Sequence, residues 1–292
     1  MGQKCGIVGH SGLIRVCVTR LRPDSVYIRL LIMRYVHRFI QAVFTVYAFI
    51  PFTLFLLLIF PLVVMASLFG KIKGGNFIYR LCHAWTDFVL LMLGIFHRNI
   101  FEAPHDKSRQ YVFVFNHISF LDIPVIFKTI RRQHFRILGK AEMAKIPLFG
   151  FIYRNAVVMV ERGNPQKRAT SVKQLKSVLH KGISVLVAPE GTFNMTGNPL
   201  KEFYDGAFKV AIETQTPIKP ILILDAYDRM HYRSIFSLNP GKSRSVYLDE
   251  ISVEGLTLSD VSYLKEKVYR TMEKALIKYK ASWINDKAKN IN

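Results

Sequence analysis

From Phe39 to Gly70 no residue carries a formal charge, and most are Leu, Ile, Val or Phe. As one straight helix the run would be about 48 Å long, against a bilayer hydrocarbon core of roughly 30 Å. Helices buried inside soluble domains are seldom so long, so the run predicts a membrane-embedded segment. Pro51 and Pro61 interrupt it, and each removes a helical hydrogen bond. Two layouts fit: a single tilted, kinked span, or a helical hairpin that dips into one leaflet and returns. Arg34 and Arg38 precede the run, and Lys71 and Lys73 follow it. Basic flanks belong on the cytoplasmic side, and two of them favour the hairpin.

The rest of the chain divides around this run. Residues 1–38 read as a basic leader, in which Arg15, Arg20, Arg22, Arg29, Arg34 and Arg38 break every apolar piece; that is not a signal peptide. Its opening, MGQKCG, lacks the Ser or Thr that N-myristoylation expects at position 6. Residues 39–100 form the hydrophobic anchor together with an interfacial helix over Phe77–Phe96, which holds Arg80, His83 and Asp87 in its first half. The chain has 41 Lys+Arg against 20 Asp+Glu, a formal charge of +21. A basic chain attracts nucleic acid or anionic membrane. The uncharged run selects membrane lipid as the partner and excludes nucleic acid. Cys5, Cys17 and Cys82 lack CxxC spacing, so neither a zinc site nor a disulfide framework is expected.

After Phe101 the pattern becomes that of an α/β domain, 101–292, with a mixed sheet flanked by helices and a basic C-terminal helix. Short β-branched or aromatic runs predict strands over Tyr111–Phe115, Ala156–Val160, Ser184–Ala188, Ile218–Leu224 and Ser245–Leu248. Helices are predicted over Ile123–Ile130, Gln166–His180, Ala207–Thr214 and Ser259–Trp283. The last carries Val261, Leu264, Val268, Met272 and Leu276 as one apolar stripe, the mark of a helix packed on the domain with a solvated basic face.

The chemistry concentrates in Asn116-His117-Ile118-Ser119-Phe120-Leu121-Asp122. On a regular helix, residues five apart point about 140° away from each other. On a strand-to-helix turn they can converge. An imidazole held by a carboxylate keeps one tautomer and leaves its other nitrogen free to take a proton. His117 and Asp122 are therefore the candidate catalytic pair, suited to deprotonating an alcohol. Gly9-His10-Ser11-Gly12 is not a nucleophile elbow, and neither a metal-ligand cluster nor a Walker loop is present.

This block resembles the NHxxxxD motif of the glycerolipid acyltransferases, the family of the bacterial 1-acylglycerol-3-phosphate (lysophosphatidate) acyltransferases. Further blocks follow in the family's order. Gly139-Lys140-Ala141-Glu142, Ile146-Pro147-Leu148-Phe149-Gly150 and Val158-Met159-Val160-Glu161-Arg162 are similar to its second block, Pro189-Glu190-Gly191-Thr192 to its third, and Pro217-Ile218-Lys219-Pro220-Ile221 to its fourth. The resemblance spans about Tyr111 to Leu224. It implies a membrane-bound O-acyltransferase with His117 as general base and Asp122 as its orienter. Glu190, Gly191, Thr192, Arg162 and Lys140 would bind the acceptor, with Pro220 in the fourth block. It implies no cofactor and no metal, acyl-CoA or acyl carrier protein as the thioester donor, and 1-acylglycerol-3-phosphate as acceptor, giving phosphatidic acid. The inner or cell membrane is the expected location, with the catalytic domain on the cytoplasmic side.

The chain departs from the family at three places. Phe193 stands where the family reads Arg after Glu-Gly-Thr, Ala188 where Phe often precedes the block, and Tyr204 where Lys or Arg follows a Phe. Two lost cations leave other acceptors open, another lysolipid or an N-acyl amino-acid lipid, because Phe cannot replace Arg in phosphate recognition. A catalytically silent membrane-binding protein on the same scaffold is the alternative from another class.

Overall fold

The computed structural model describes residues 23–161, 163 and 165–285. Two compact units are distinguished, one up to Ile40 and one from Gln41 onward. Helix α1 (Pro23–Ser67) passes through Pro51 and Pro61 without reversing, so the hairpin within the apolar run is not formed. A proline inside a helix forfeits a hydrogen bond and bends the axis, but does not turn the chain back. The helix also starts earlier than the leader boundary at residue 38. Met1–Arg22 of that leader lie outside the described residues, and from Pro23 on it is helical. Arg29, Arg34 and Arg38 interrupt the apolar pattern without opposing the helix, since Arg is a good helix former.

Tyr27–Ser67 is long and apolar enough to cross a membrane, with a mean hydropathy of 2.6 in its most apolar stretch, of which only 17% is buried. A core helix would show the reverse. Within the first unit, residues 27–40 are all exposed. Within the second, Ala48, Ile59, Val63 and Ala66 are buried while Phe49, Ile50, Leu54 and Leu58 face outward. Such an uncovered apolar face makes α1 a candidate membrane anchor.

The chain reverses after Ser67, through a π-helical turn over Gly70–Gly74 into α2 (Gly75–Met92). Gly74 is required there, because a Cβ would lie 2.0 Å from the Ala66 carbonyl oxygen. The buried Arg136 guanidinium clasps this turn, donating to the carbonyls of Lys71 and Ile72 and to Asn76 Oδ1 at 2.7–3.2 Å. Aromatic pairs join the two helices, Phe52 with Trp85 and Phe55 with Phe88, at centroid distances of 5.0 and 4.9 Å.

Seven strands make one mixed sheet in the order β1-β7-β6-β2-β5-β3-β4: β1 (Ile95–Phe101), β2 (Val112–Phe115), β3 (Phe135–Lys140), β4 (Val158–Val160), β5 (Ser184–Val187), β6 (Ile218–Ile223) and β7 (Gly241–Tyr247). The five strands β6 through β4 are parallel; β7 runs antiparallel to β6, and β1 is parallel to β7. The central strands β2, β5 and β6 are buried along their whole length, as parallel strands covered on both faces must be. Lys219 tolerates this position because its Nζ donates to the Pro104 carbonyl at 2.9 Å.

Helices α3 (Asp122–Thr129), α4 (Phe149–Ala156), α5 (Pro165–Leu179), α6 (Gly206–Glu213), α7 (Ala226–Arg229) and α8 (Val261–Lys278) complete the domain. Contacts of α2 with α3 and α4 form one layer, and those of α6 with α5 and α8 form another. All five stripe residues of α8 are buried. The helix stops at Lys278 rather than continuing to Trp283.

Other elements also differ from the sequence expectation. Strand β1 was hidden at the end of the interfacial segment. Strand β3 was missed because its second residue, Arg136, reads as a surface residue. Residues 149–156 form a helix, so β4 begins two residues later than the predicted strand at Ala156.

The connections place the site. The chain leaves β2 through α3 towards β3, on one side, and leaves β5 through α6 towards β6, on the other. The two crossovers diverge between adjacent strands, which opens a crevice outside the carboxyl ends of β2 and β5.

Candidate active site

Asn116 follows β2 and locks it to β6. Its side chain donates to the Ile223 carbonyl at 3.0 Å and accepts from the Ile223 N–H at 2.8 Å. His117 comes next, at the crevice. The chain then turns into α3, whose first residue, Asp122, reaches back with a fully buried carboxylate. Asp122 Oδ2 accepts from His117 Nδ1 at 2.7 Å, Ile118 N–H at 2.7 Å and Ser119 N–H at 2.9 Å. Two main-chain donors thus fix the carboxylate, and the carboxylate fixes the ring. With Nδ1 donating, Nε2 keeps its lone pair, and the His117 side chain remains 22% exposed. The convergence expected at a strand-to-helix turn is present.

Ser119 is not positioned as a nucleophile: its Oγ donates to the Met230 carbonyl at 2.6 Å and accepts from Leu121 N–H. The Phe193 ring meets His117 edge-on, with centroids 4.5 Å apart, and Phe120 packs on Phe193 at 4.9 Å. An aromatic wall therefore stands beside the imidazole where the family carries a cation.

Glu190 follows β5 and points inward. Gly191, at φ 71°, makes the turn that permits this, a conformation costly for any residue with a Cβ. Both Glu190 oxygens are occupied: Oε1 accepts from His117 N–H at 2.9 Å and Oε2 from Lys201 N–H at 2.8 Å. Burial pushes this carboxyl up to about 8, against the two N–H donors that favour the anion. In the unfolded chain the group titrates near its ordinary 4.5. Between those values the folded protein holds a proton that the unfolded one has released, so its contribution to stability falls as pH rises through the window. Thermal unfolding in detergent is expected to show that decline from about pH 5 to 8, and Glu190→Gln to remove it. An unchanged slope in the variant would assign the decline to other groups.

The remaining predicted residues are spread more widely. Thr192 is exposed and accepts from Lys201 Nζ at 2.9 Å. Lys140 ends β3 at the same edge of the sheet, exposed and paired with Glu142 at 3.4 Å. Pro220 is buried in β6 opposite Val114, so it belongs to the wall behind the site. Arg162 lies outside the described residues. Lys201 was not anticipated, since nothing in its local sequence marks it; its main chain shares Glu190 with His117. Its ammonium group donates to Thr192 and feels the nearby Glu190 carboxyl. The described residues contain no group of His, Cys, Asp and Glu able to hold a metal ion.

Residues 95–224 match the family model for acyltransferases. The chain resembles the glycerolipid branch of that family. It is 30% identical to an uncharacterized acyltransferase of Schizosaccharomyces pombe over 59% of this chain and 62% of that one. To a putative 1-acyl-sn-glycerol-3-phosphate acyltransferase of Caenorhabditis elegans it is 28% identical, over 66% and 67%. The chain thus spans about two thirds of the length of these relatives. Its fold matches the crystal structure of the 1-acyl-sn-glycerophosphate acyltransferase PlsC from Thermotoga maritima with a TM-score of 0.67 at 20% identity, covering 85% of this chain and 100% of that one.

Proposed function

We propose that this protein is a membrane-bound enzyme that transfers an acyl chain from a thioester to a lipid hydroxyl. The observation that carries this reading is the His117 imidazole, held at Nδ1 by a buried carboxylate and open at Nε2. His117 Nε2 takes the proton of the acceptor hydroxyl as that oxygen attacks the thioester carbonyl. The tetrahedral intermediate collapses, the carbon–sulfur bond breaks, and the imidazolium returns the proton to the departing thiolate. Every proton is accounted for, and the residues supply orientation and base chemistry only. Acyl-CoA or acyl carrier protein is the donor, and the basic charge of the chain suits either. We place the catalytic domain on the cytoplasmic side, where either thioester donor is available.

For the acceptor we propose 1-acylglycerol-3-phosphate, the substrate in the names of several relatives. Its phosphate needs a cation that Phe193 does not provide. Lys201 supports this reading, because its main chain is held on the same carboxyl as His117 and its ammonium group lies beside Thr192 of the third block. The deciding experiment is purified protein in detergent with labelled acyl-CoA and a panel of lysolipids, zwitterionic and amino-acid-based ones included. Absence of labelled product from a folded preparation would refute the enzyme reading. Lys201→Met is expected to raise KM for the phosphate-bearing acceptor about ten- to a hundredfold, the worth of one charge-assisted hydrogen bond, and to spare an uncharged monoacylglycerol. Equal effects on both acceptors would remove Lys201 from the head-group site.

A further inference from the structure

The segment 230–240, between α7 and β7, runs along the crevice edge of the sheet and is pinned at both ends. At one end the Met230 carbonyl accepts from Ser119 Oγ, inside the His117 motif, at 2.6 Å. At the other, Asn239 N–H donates to the Arg229 carbonyl at 2.7 Å, and Asn239 Oδ1 accepts from Gln41 Nε2 on α1 at 2.9 Å. Internal bonds close the loop, His231 N–H to Ser237 Oγ at 2.8 Å and His231 Nε2 with Tyr227 OH at 2.9 Å. Yet this well-bonded loop presents Ile235 and Phe236 at its tip, 44% and 53% exposed.

Scattered exposed apolar side chains need no explanation, but a continuous set does. Beyond the tip, Gly241 N–H donates to the Gly94 carbonyl at 2.9 Å, which joins the loop to the end of α2 and the start of β1. Leu91 and Phe96 are exposed there, as Val43 and Val46 are on α1 just past Gln41. Arg233 and Lys242 are exposed beside this rim, with no acidic partner among the described residues.

We propose that this rim, led by Ile235 and Phe236, enters the headgroup region of an anionic lipid bilayer and holds the crevice at the depth of lipid hydroxyl groups. The proposal rests on α1 being a membrane anchor. Lipid is favoured as occupant because the rim continues the uncovered apolar face of α1 and is flanked by the exposed cations Arg233 and Lys242 on a chain of net charge +21.

The test uses the full chain in phosphatidylcholine–phosphatidylglycerol vesicles whose acyl chains carry bromine. Phe236→Trp adds an indole to the native Trp85 and Trp283, and its added emission is expected to be quenched by the brominated lipid and shielded from acrylamide. In parallel, Ile235→Ser combined with Phe236→Ser is expected to float with vesicles as the parent does. Turnover on a bilayer-borne acceptor should fall about tenfold or more, since burying one such side chain has at least that worth. Turnover on a short-chain, water-soluble acceptor should hold. An added indole open to acrylamide and untouched by bromine overturns the rim contact. So does an equal fall on both acceptors, which would make the loop only a support for Ser119. A parent that fails to float overturns the anchor itself, and the rim contact with it.

Discussion

Replacing His117 with Ala is expected to lower acyl transfer by about 10²–10⁴-fold, the usual contribution of a placed general base. The ring does little else in the structure. Its Nδ1 bonds to Asp122 and its ring packs on Phe115 and Phe193, while the links to Glu190 and Asn194 run through the His117 main chain. Ala keeps both main-chain bonds, so recovery in the membrane fraction and thermal unfolding should stay near those of the parent. Single-turnover transfer from labelled acyl-CoA is the measurement. Near-parental turnover in a folded variant would refute the base assignment and the proposed mechanism with it.

The second large effect is expected from Glu190→Gln, although it changes one atom. Both carboxylate oxygens accept a main-chain N–H. A Gln side chain offers one oxygen, and its NH2 must face the other donor. Either His117 or Lys201 then loses a buried partner, at a cost of about 1–3 kcal/mol. If the displaced group is His117, the imidazole shifts relative to its substrate, and about 1 Å of misplacement is enough to lose about 10²-fold in rate. Because the carboxyl acts through the backbone, kcat should fall, and KM should change only for the phosphate-bearing acceptor that Lys201 serves. A raised KM for an uncharged acceptor with kcat preserved would instead give Glu190 the acceptor-binding role that the family resemblance implies.

The contrast between those two residues shows what the sequence made legible. His117 and Asp122 were readable because one short segment carries both and the turn between strand and helix brings them together. The carboxylate of Glu190 could be located at a strand end, but not its direction, which depends on the positive φ of Gly191 and on donors 73 and 11 residues away. Lys201 was invisible for the same reason: its relation to His117 exists only through a shared partner. In the fold, the fully buried apolar strands were legible from their composition. Strand β3 was not, because Arg136 is buried by bonds to a turn some sixty residues earlier. The continuous course of α1 through two prolines was one of two layouts left open, because local rules weigh the lost hydrogen bond and not the surroundings of the helix.

The base and its aromatic neighbour are secured by different means. His117 is tied through its main chain to Glu190 and Asn194 and through Nδ1 to Asp122, whereas Phe193 meets it ring to ring and nothing more specific. The Asn194 N–H that reaches the His117 carbonyl is independent of which side chain stands at 193. A lineage can therefore exchange the residue at 193 without rebuilding the proton-transfer pair. The wall beside the base and the base itself are thus separately held, and a substitution at 193 alters the surface next to the imidazole while leaving the proton-transfer pair in place.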